Sequence, residues 1–313
     1  MRMNDDEGSP AFLRHSPAAS LLTLGPVMFN WAPERWRDFY FRIADEAPID
    51  IVYIGEVVCT KRQPFLAPML PEVVARLQQA GKEVVLSTLA LNMTRRELHL
   101  LRQLAGEVDF LVEANDIAAL SLLDGRPHVI GPYINVYNEA TLRFLWKKGA
   151  IRAVLPAELS GAAIATLAKV GLPLEIQIFG RAPLALSVRC YHARAENLHK
   201  DGCQFVCERD LDGLGVTTLD DVPFVAVNGL QTLSHGCLEL GGHVAEMAAA
   251  GVRHFRLSPH TVDMVAVSRL YRDLLDQRLA AAELSAALPE FPGGAALIDG
   301  FYRGVPGAAG LEG

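Results

Sequence analysis

Short β-branched and aliphatic runs alternate with amphipathic stretches along most of this chain. LLTLGPVMF (21–29) precedes PERWRDFYFRIADE (33–46), DIVYIGEVV (50–58) precedes PEVVARLQQAG (71–81), and KEVVLSTLAL (82–91) precedes TRRELHLLRQLAG (94–106). DFLVEAND with IAALSLL, HVIGPYINV with NEATLRFLWKKG, IRAVLPAEL with GAAIATLAKVG, LEIQIFG, and finally VRHFRLSP complete the series. Strands that are apolar throughout are covered on both faces, and helices between them make the sheet parallel. Helix ends are punctuated: Thr94 stands three residues before Glu97, and Gly81, Gly149, Gly171 and Gly251 fall where helices should stop.

Eight strand candidates in this order predict an α/β fold, a TIM-like (β/α)8 barrel in a single domain. In such barrels the chemistry lies at the carboxyl ends of the strands, and polar residues collect there in this sequence. Gly55, Glu56 and Cys59 end the second strand; Ser87 and Thr88 the third; Glu113, Asn115 and Asp116 the fourth; Asn135 and Asn138 the fifth; Glu158 the sixth; Arg256 and Ser258 the last. Glu56 and Glu158 are candidate catalytic acids or bases, although carboxylates at strand ends also cap the helices that follow. The same holds, with less to favour it, for Glu113.

The expected organisation is a disordered leader over residues 1–19, the barrel over 20–278 and a loosely ordered C-terminal tail over 279–313, the last on its Gly and Ala content. The 313 residues are 50% hydrophobic and 21% charged, enough for a large core. A formal net charge of −7 offers no basic face to nucleic acid. No run of eighteen uncharged apolar residues exists for a membrane span, and MRMNDDEGSP lacks the basic start and apolar middle of a signal peptide, so a cytoplasmic location is expected.

Cysteine usage changes the picture most. Cys190, Cys203 and Cys207 follow as C-x12-C-x3-C, and Cys59 ends an apolar strand 131 positions upstream of the first. Without a secretory signal such a group points to a metal and not to disulfides. Apolar periodicity does not account for the trio, whereas Cys59 alone could be a packing thiol, and Cys237, in SHGCLEL, reads as a core thiol. A barrel with the cysteine loop after strand 7 brings Cys59 and the trio to one rim. Four thiolates suit zinc and iron–sulfur alike, so spacing leaves that choice open. Arg and Lys side chains of YHARAENLHKDG are placed to offset the negative charge.

Common catalytic signatures are missing: no G-x-S-x-G, no H-E-x-x-H, no Walker lysine loop and no G-x-G-x-x-G after a strand. Ser234 and His235 are adjacent, a spacing that suits a loop turn better than a catalytic pair. His192 and His199 flank the cysteines, and solvated loop histidines are the expectation there.

LGPVMFNW, YIGEVVCTKR, GKEVVLSTLAL, FLVEANDI, NVYNEATL, PAELS, APLALSVRC, VNGLQTLS and RLSP, together with the cysteine trio, span about residues 21–275. Through them the chain resembles the UbiV-like branch of the collagenase-like peptidase superfamily, which serves ubiquinone biosynthesis and is not known for proteolysis. The leader and the Ala/Gly-rich tail have no counterpart in that pattern. The resemblance implies a 4Fe-4S cluster held by Cys59, Cys190, Cys203 and Cys207, with no role for Cys237. It implies a UbiU-like iron–sulfur protein as heterodimer partner and a UbiT-like lipid-binding protein. It further implies oxygen-independent hydroxylation of a quinone precursor in anaerobic bacteria, with prephenate as the hydroxyl donor. A cubane with all four protein positions closed suits a redox relay better than substrate binding at iron. A peptidase-type hydrolase and a scaffold with structural zinc are the alternatives.

Overall fold

Eight parallel strands close on themselves in a computed structural model, which describes residues 19–107 and 109–311. They are β1 (Leu21–Leu24), β2 (Ile51–Ile54), β3 (Glu83–Ser87), β4 (Leu111–Ala114), β5 (His128–Ile130), β6 (Ala150–Val154), the first half of β7 (Leu174–Leu186), and β11 (His254–Leu257). β11 pairs with both β1 (Leu22 opposite Phe255) and β7 (His254 opposite Glu175), which seals the barrel. The TIM-like barrel read from the alternation is therefore correct. The expected leader falls almost wholly on residues 1–18, outside the described residues.

Alternation within each strand divides two cores. Leu21, Ile51, Tyr53, Val85, Leu111, Val129 and Val154 pack together as one cluster, while Leu22, Leu24, Val52 and Ile54 belong to the larger one that includes the surrounding helices. The helices are α1 (Pro33–Glu46), α2 (Gln63–Leu66), α3 (Leu70–Gln79), α4 (Arg95–Ala105), α5 (Ile117–Leu122), α6 (Glu139–Lys147), α7 (Gly161–Ala168), α8 (Tyr191–Ala195), α9 (Val244–Ala250), α10 (Met264–Leu275), α11 (Ala281–Ala287) and α12 (Gly300–Arg303). In α1, Trp36, Tyr40, Ile43 and Ala44 recur at helical spacing on the buried face, and Pro33 sits at its start. Thr94 and Glu97 form the capping box that opens α4. Among the described residues no helix is long and apolar enough to cross a membrane.

β7 does not stop at Gly180, where the sequence pattern LEIQIFG ends. Gly180 adopts φ +103°, and a Cβ there would come within 2.7 Å of the Ser258 Cβ. The strand bends away at this residue and continues as one edge of an antiparallel sheet. Its neighbours are, in order, β10 (Gln231–Glu239), β9 (Pro223–Asn228) and β8 (Leu214–Thr217). The cysteine loop lies between β7 and β8, as expected.

The expected loose tail is overturned for its described residues. β12 (Leu297–Ile298) pairs with β10, setting Leu297 opposite Cys237. Leu284, Phe291, Ile298 and Tyr302 are all buried. Phe291 packs edge-on to Phe179 and His260, with ring centroids 6.1 and 4.6 Å away. The Gly and Ala content misleads because a few well-spaced apolar side chains suffice to cover the outer face of β10 and its neighbours.

Candidate metal centre

The loop after β2 is held by its own carboxylate. Glu56 Oε1 accepts the amides of Val58 and Cys59, each at 2.8 Å, and its side chain is 5% exposed. Burial pushes the Glu56 carboxyl up, against the downward pull of Arg62 and the two amides. Arg62 is also buried. Its Nη1 donates to the Met28 carbonyl (3.1 Å), and its Nη2 donates to Asn228 Oδ1 (2.7 Å) and reaches Cys207 Sγ at 3.6 Å. Its Nε is buried without an acceptor among the described residues.

Cys190 caps α8, its sulfur accepting the Ala193 amide at 3.4 Å. The chain then runs out to Cys203 and returns to Cys207 through Gln204 and Phe205, both left-handed (φ 50° and 53°). Two consecutive non-glycine residues in that region are locally unfavourable and persist only when their surroundings impose them. Phe205 packs edge-on against Phe65, which ties the returning loop to α2. Asn228 Nδ2 donates to the Cys207 and Asp210 carbonyls at 3.2 and 2.9 Å.

His192 is not a solvated loop histidine. It is buried, accepts the Gly229 amide on Nδ1 (3.3 Å), and therefore donates from Nε2 to Asp210 (2.7 Å). His199 is exposed. Gly229, at φ +66°, turns β9 into β10, and a Cβ on it would stand 2.7 Å from Nη2 of Arg62. Both the turn and the guanidinium require glycine there.

Cys59, Cys190, Cys203 and Cys207 line one small cavity together with Lys61 and Arg62. All four are free thiols. Burial pushes Cys59 and Cys190 up, and the neighbouring cysteines add to this: Cys207 acts on both, Cys203 on Cys190. Among the described residues no three His, Cys, Asp or Glu side chains are gathered to hold a single metal ion. A four-thiol rim beside a buried cation with a donor to spare is a donor set that both zinc and iron–sulfur groups use. Basic side chains reach the cavity from both segments, Lys61 and Arg62 after β2 and Lys200 from the linking stretch between the cysteines. Cys237 lies apart, fully buried in β10 beneath β12.

Glu158 stands at the barrel mouth and accepts a hydrogen bond from the Tyr137 hydroxyl. Burial, and then the carboxylate, push that phenol up to about 12. Glu56 and Glu158 border different cavities, so they do not form a carboxylate pair. Ser234 and His235 lie in β10 and not in a turn. Ser234 Oγ accepts the Ala182 amide and donates to the Gly236 carbonyl, so it does not engage His235.

An ionic network fills the barrel and went largely unread in the sequence. Arg256 donates to Glu175 (2.6 Å) and Glu113 (2.7 Å) and lies 3.9 Å over the Tyr53 ring. Tyr53 and Thr23 also donate to Glu175, at 2.5 and 2.7 Å, while Ser87 and Asn115 donate to Glu113 at 2.7 and 3.1 Å. Burial would raise the Glu175 carboxyl, but Arg256 and Arg152 outweigh it and hold it at about 2. Glu113 is thereby a structural partner of Arg256. Glu175 carried one signal in the sequence, a charge inside LEIQIFG where both faces are covered.

Dihydropteroate synthase from Thermus thermophilus, solved with 4-aminobenzoate, is 14% identical, with 84% of this chain and 94% of that one covered and a TM-score of 0.40. Tryptophan synthase from M. tuberculosis is 11% identical, with 87% and 92% covered and a TM-score of 0.37. The model of peptidase family U32 matches residues 35–299, from α1 to the turn before α12, so the strands of the barrel after β1 and both cysteine segments fall within it. The chain belongs to peptidase family U32.

Proposed function

We propose that this chain is the 4Fe-4S subunit of a UbiU–UbiV-type complex that hydroxylates the ring of a ubiquinone precursor without oxygen, in the cytoplasm. The observation that carries the reading is the meeting of four free thiols from two distant segments around one cavity, with Arg62 buried against Cys207. Cys59, Cys190, Cys203 and Cys207 are the residues that would hold the cluster. Such a cluster supplies one-electron transfer with no iron position left for substrate.

The chain's own residues keep that site in shape. Arg62 offsets the negative charge, Glu56 fixes the Cys59 amide, and the His192–Asp210 pair with Asn228 fixes the returning loop. Phe65, Val188 and Tyr191 are exposed apolar side chains close in sequence to the cluster ligands, suited to burial against a UbiU-like iron–sulfur partner. A UbiT-like lipid-binding protein delivers the quinone precursor, and prephenate provides the hydroxyl. Glu158, with Tyr137 at the barrel mouth, is the carboxylate placed for proton transfer, and Glu56 serves by position. Peptide hydrolysis, which the family name suggests, finds no support in Ser234 and His235, since their side chains do not engage each other.

Purification without oxygen tests this. A broad absorption near 400 nm that bleaches on reduction, with about four irons and four sulfides per chain, is the expected result. Changing each of Cys59, Cys190, Cys203 and Cys207 to Ala is expected to abolish it, while Cys237→Ala retains it. A colourless protein holding one zinc overturns the redox reading and leaves a scaffold.

A further inference from the structure

The outer face of α6 is basic in a chain whose formal net charge is −7. From Ala140 to Leu174 there are five basic residues and one acid, Glu158, which stands at the barrel mouth. Arg152 is engaged inside the barrel, and Lys148 with Asp124. That leaves Arg143 and Lys147 on α6 and Lys169 at the end of α7, all exposed and none in an ion pair among the described residues.

α6 turns Leu142 and Leu145 inward, so that Arg143 and Lys147, one turn apart, stack on the outward ridge. Phe144 and Trp146 flank that ridge, one on each side, 58% and 45% exposed. The Trp146 ring lies over the turn after α7, where a Cβ on Gly171 would stand 3.7 Å from it, and this brings Lys169 to the same face. No hydrogen bond among the described residues engages the Trp146 indole N–H. Half-exposed aromatics with cations between them and a free N–H match the boundary between lipid headgroups and acyl chains. Both helices run from the barrel mouth to its far end, so Lys147 and Lys169 lie at the end opposite to the cysteine cavity.

We infer that this face docks the chain on an anionic lipid bilayer, lying on the surface without crossing it. Arg143, Lys147 and Lys169 meet the headgroup phosphates, and Phe144 and Trp146 enter the headgroup layer on either side of the ridge. The barrel mouth and the cysteine cavity then face away from the bilayer. A fluid bilayer accommodates such a convex ridge, whereas a protein partner would have to match it with two separate pockets. The docking rests on these residues alone and holds whether or not the chain carries a cluster.

The chain has three tryptophans, and Trp31 and Trp36 are only 4% and 2% exposed, so a shift of emission on docking reports Trp146. The test adds vesicles of phosphatidylcholine, alone or mixed with phosphatidylglycerol, to the anaerobically purified protein at low and at high salt. Co-sedimentation with the mixed vesicles is expected to be at least tenfold stronger than with phosphatidylcholine, to be lost at high salt, and to come with a blue shift of the emission. The double variant Arg143→Gln, Lys147→Gln should weaken it about tenfold or more. Trp146→Phe should bind nearly as the parent does but without the blue shift, and circular dichroism should be unchanged in both variants. Equal binding to the two kinds of vesicle, binding that the double variant retains, or binding without the blue shift overturns the inference. A blue shift with poly-glutamate and none with vesicles assigns the face to an acidic polymer and overturns it equally.

Discussion

Nη2 of Arg62 sits between Asn228 Oδ1 and Cys207 Sγ, at 2.7 and 3.6 Å, and so links the loop after β2 to the loop after β7 through one buried cation. The two loops are more than 120 residues apart in sequence, and they also meet through the Phe65–Phe205 pair and through Lys61 Nζ, which donates to the Lys200 carbonyl.

Arg62→Leu should therefore act on both stability and cluster. It leaves Glu56 buried without its cation and strips donors from Met28 and Asn228, a loss of about 3 kcal/mol in urea unfolding. Iron content after anaerobic purification is expected to fall below half of the parent's. Arg62→Lys keeps a charge but cannot reach both loops at once, and should retain more iron than Leu and less than Arg. Parent-like iron in Arg62→Leu would remove the cation from the account of the site.

Gly229→Ala should reproduce part of that defect without touching a charge. The added Cβ meets Nη2 of Arg62 at 2.7 Å, and φ +66° disfavours any L side chain. A destabilisation of about 1–2 kcal/mol is expected together with reduced iron content. Changing Gly251, which also has positive φ but nothing within 4 Å, should cost stability and leave iron alone.

The cysteine loop should depend on its cluster for order. Arg194 and Arg209 are exposed within it, and its turn runs through two left-handed residues that nothing in the local sequence favours. After iron is removed by chelation under reducing conditions, trypsin should cut between residues 189 and 209 at least tenfold faster than before, with the barrel helices unaffected. Equal rates with and without iron would mean that the loop is held by protein contacts alone.

The barrel was legible in the sequence because its strands and helices repeat a simple contrast, apolar runs against amphipathic ones, which local pattern reports well. The sheet formed by β8, β9 and β10 was not, since it grows from the far half of β7 and pairs residues far apart. The Asn228–Gly229 dipeptide, a hairpin signal between VPFVAV and LQTLS, was its best trace. The four cysteines were found by residue type and resemblance, whereas Arg62, His192 and Asn228, which position them, have no spacing rule. The tail was misread because composition says nothing of how its aromatics pack, neither Tyr302 nor the more deeply buried Phe291.

That aromatic gives a direct check on the tail. Phe291 is 4% exposed, lies against Phe179 and His260, and has the Arg181 guanidinium 5.3 Å from its ring. Phe291→Ala should lower stability by about 3 kcal/mol in urea unfolding, as for a core aromatic. A change of a few tenths would restore the picture of a loosely held end.

Glu175 sets the acid limit of the barrel. Its carboxyl, held at about 2 in the folded chain by Arg256 and Arg152, ordinarily titrates near 4.5. The folded state therefore binds the proton less readily than the unfolded one, so the carboxylate's stabilisation is complete above pH 4.5 and is lost as pH falls towards 2. Its size is on the order of 2–3 kcal/mol. Glu175→Gln removes the carboxylate and leaves two buried guanidinium groups short of an anion, which should cost about 3 kcal/mol at neutral pH. The variant's thermal midpoint should then fall less steeply than the parent's between about pH 4.5 and pH 3, because it no longer has this group to protonate. Parallel slopes for parent and variant across that interval would assign the acid sensitivity to other carboxylates, Asp212 first among them, since its pKa is also lowered.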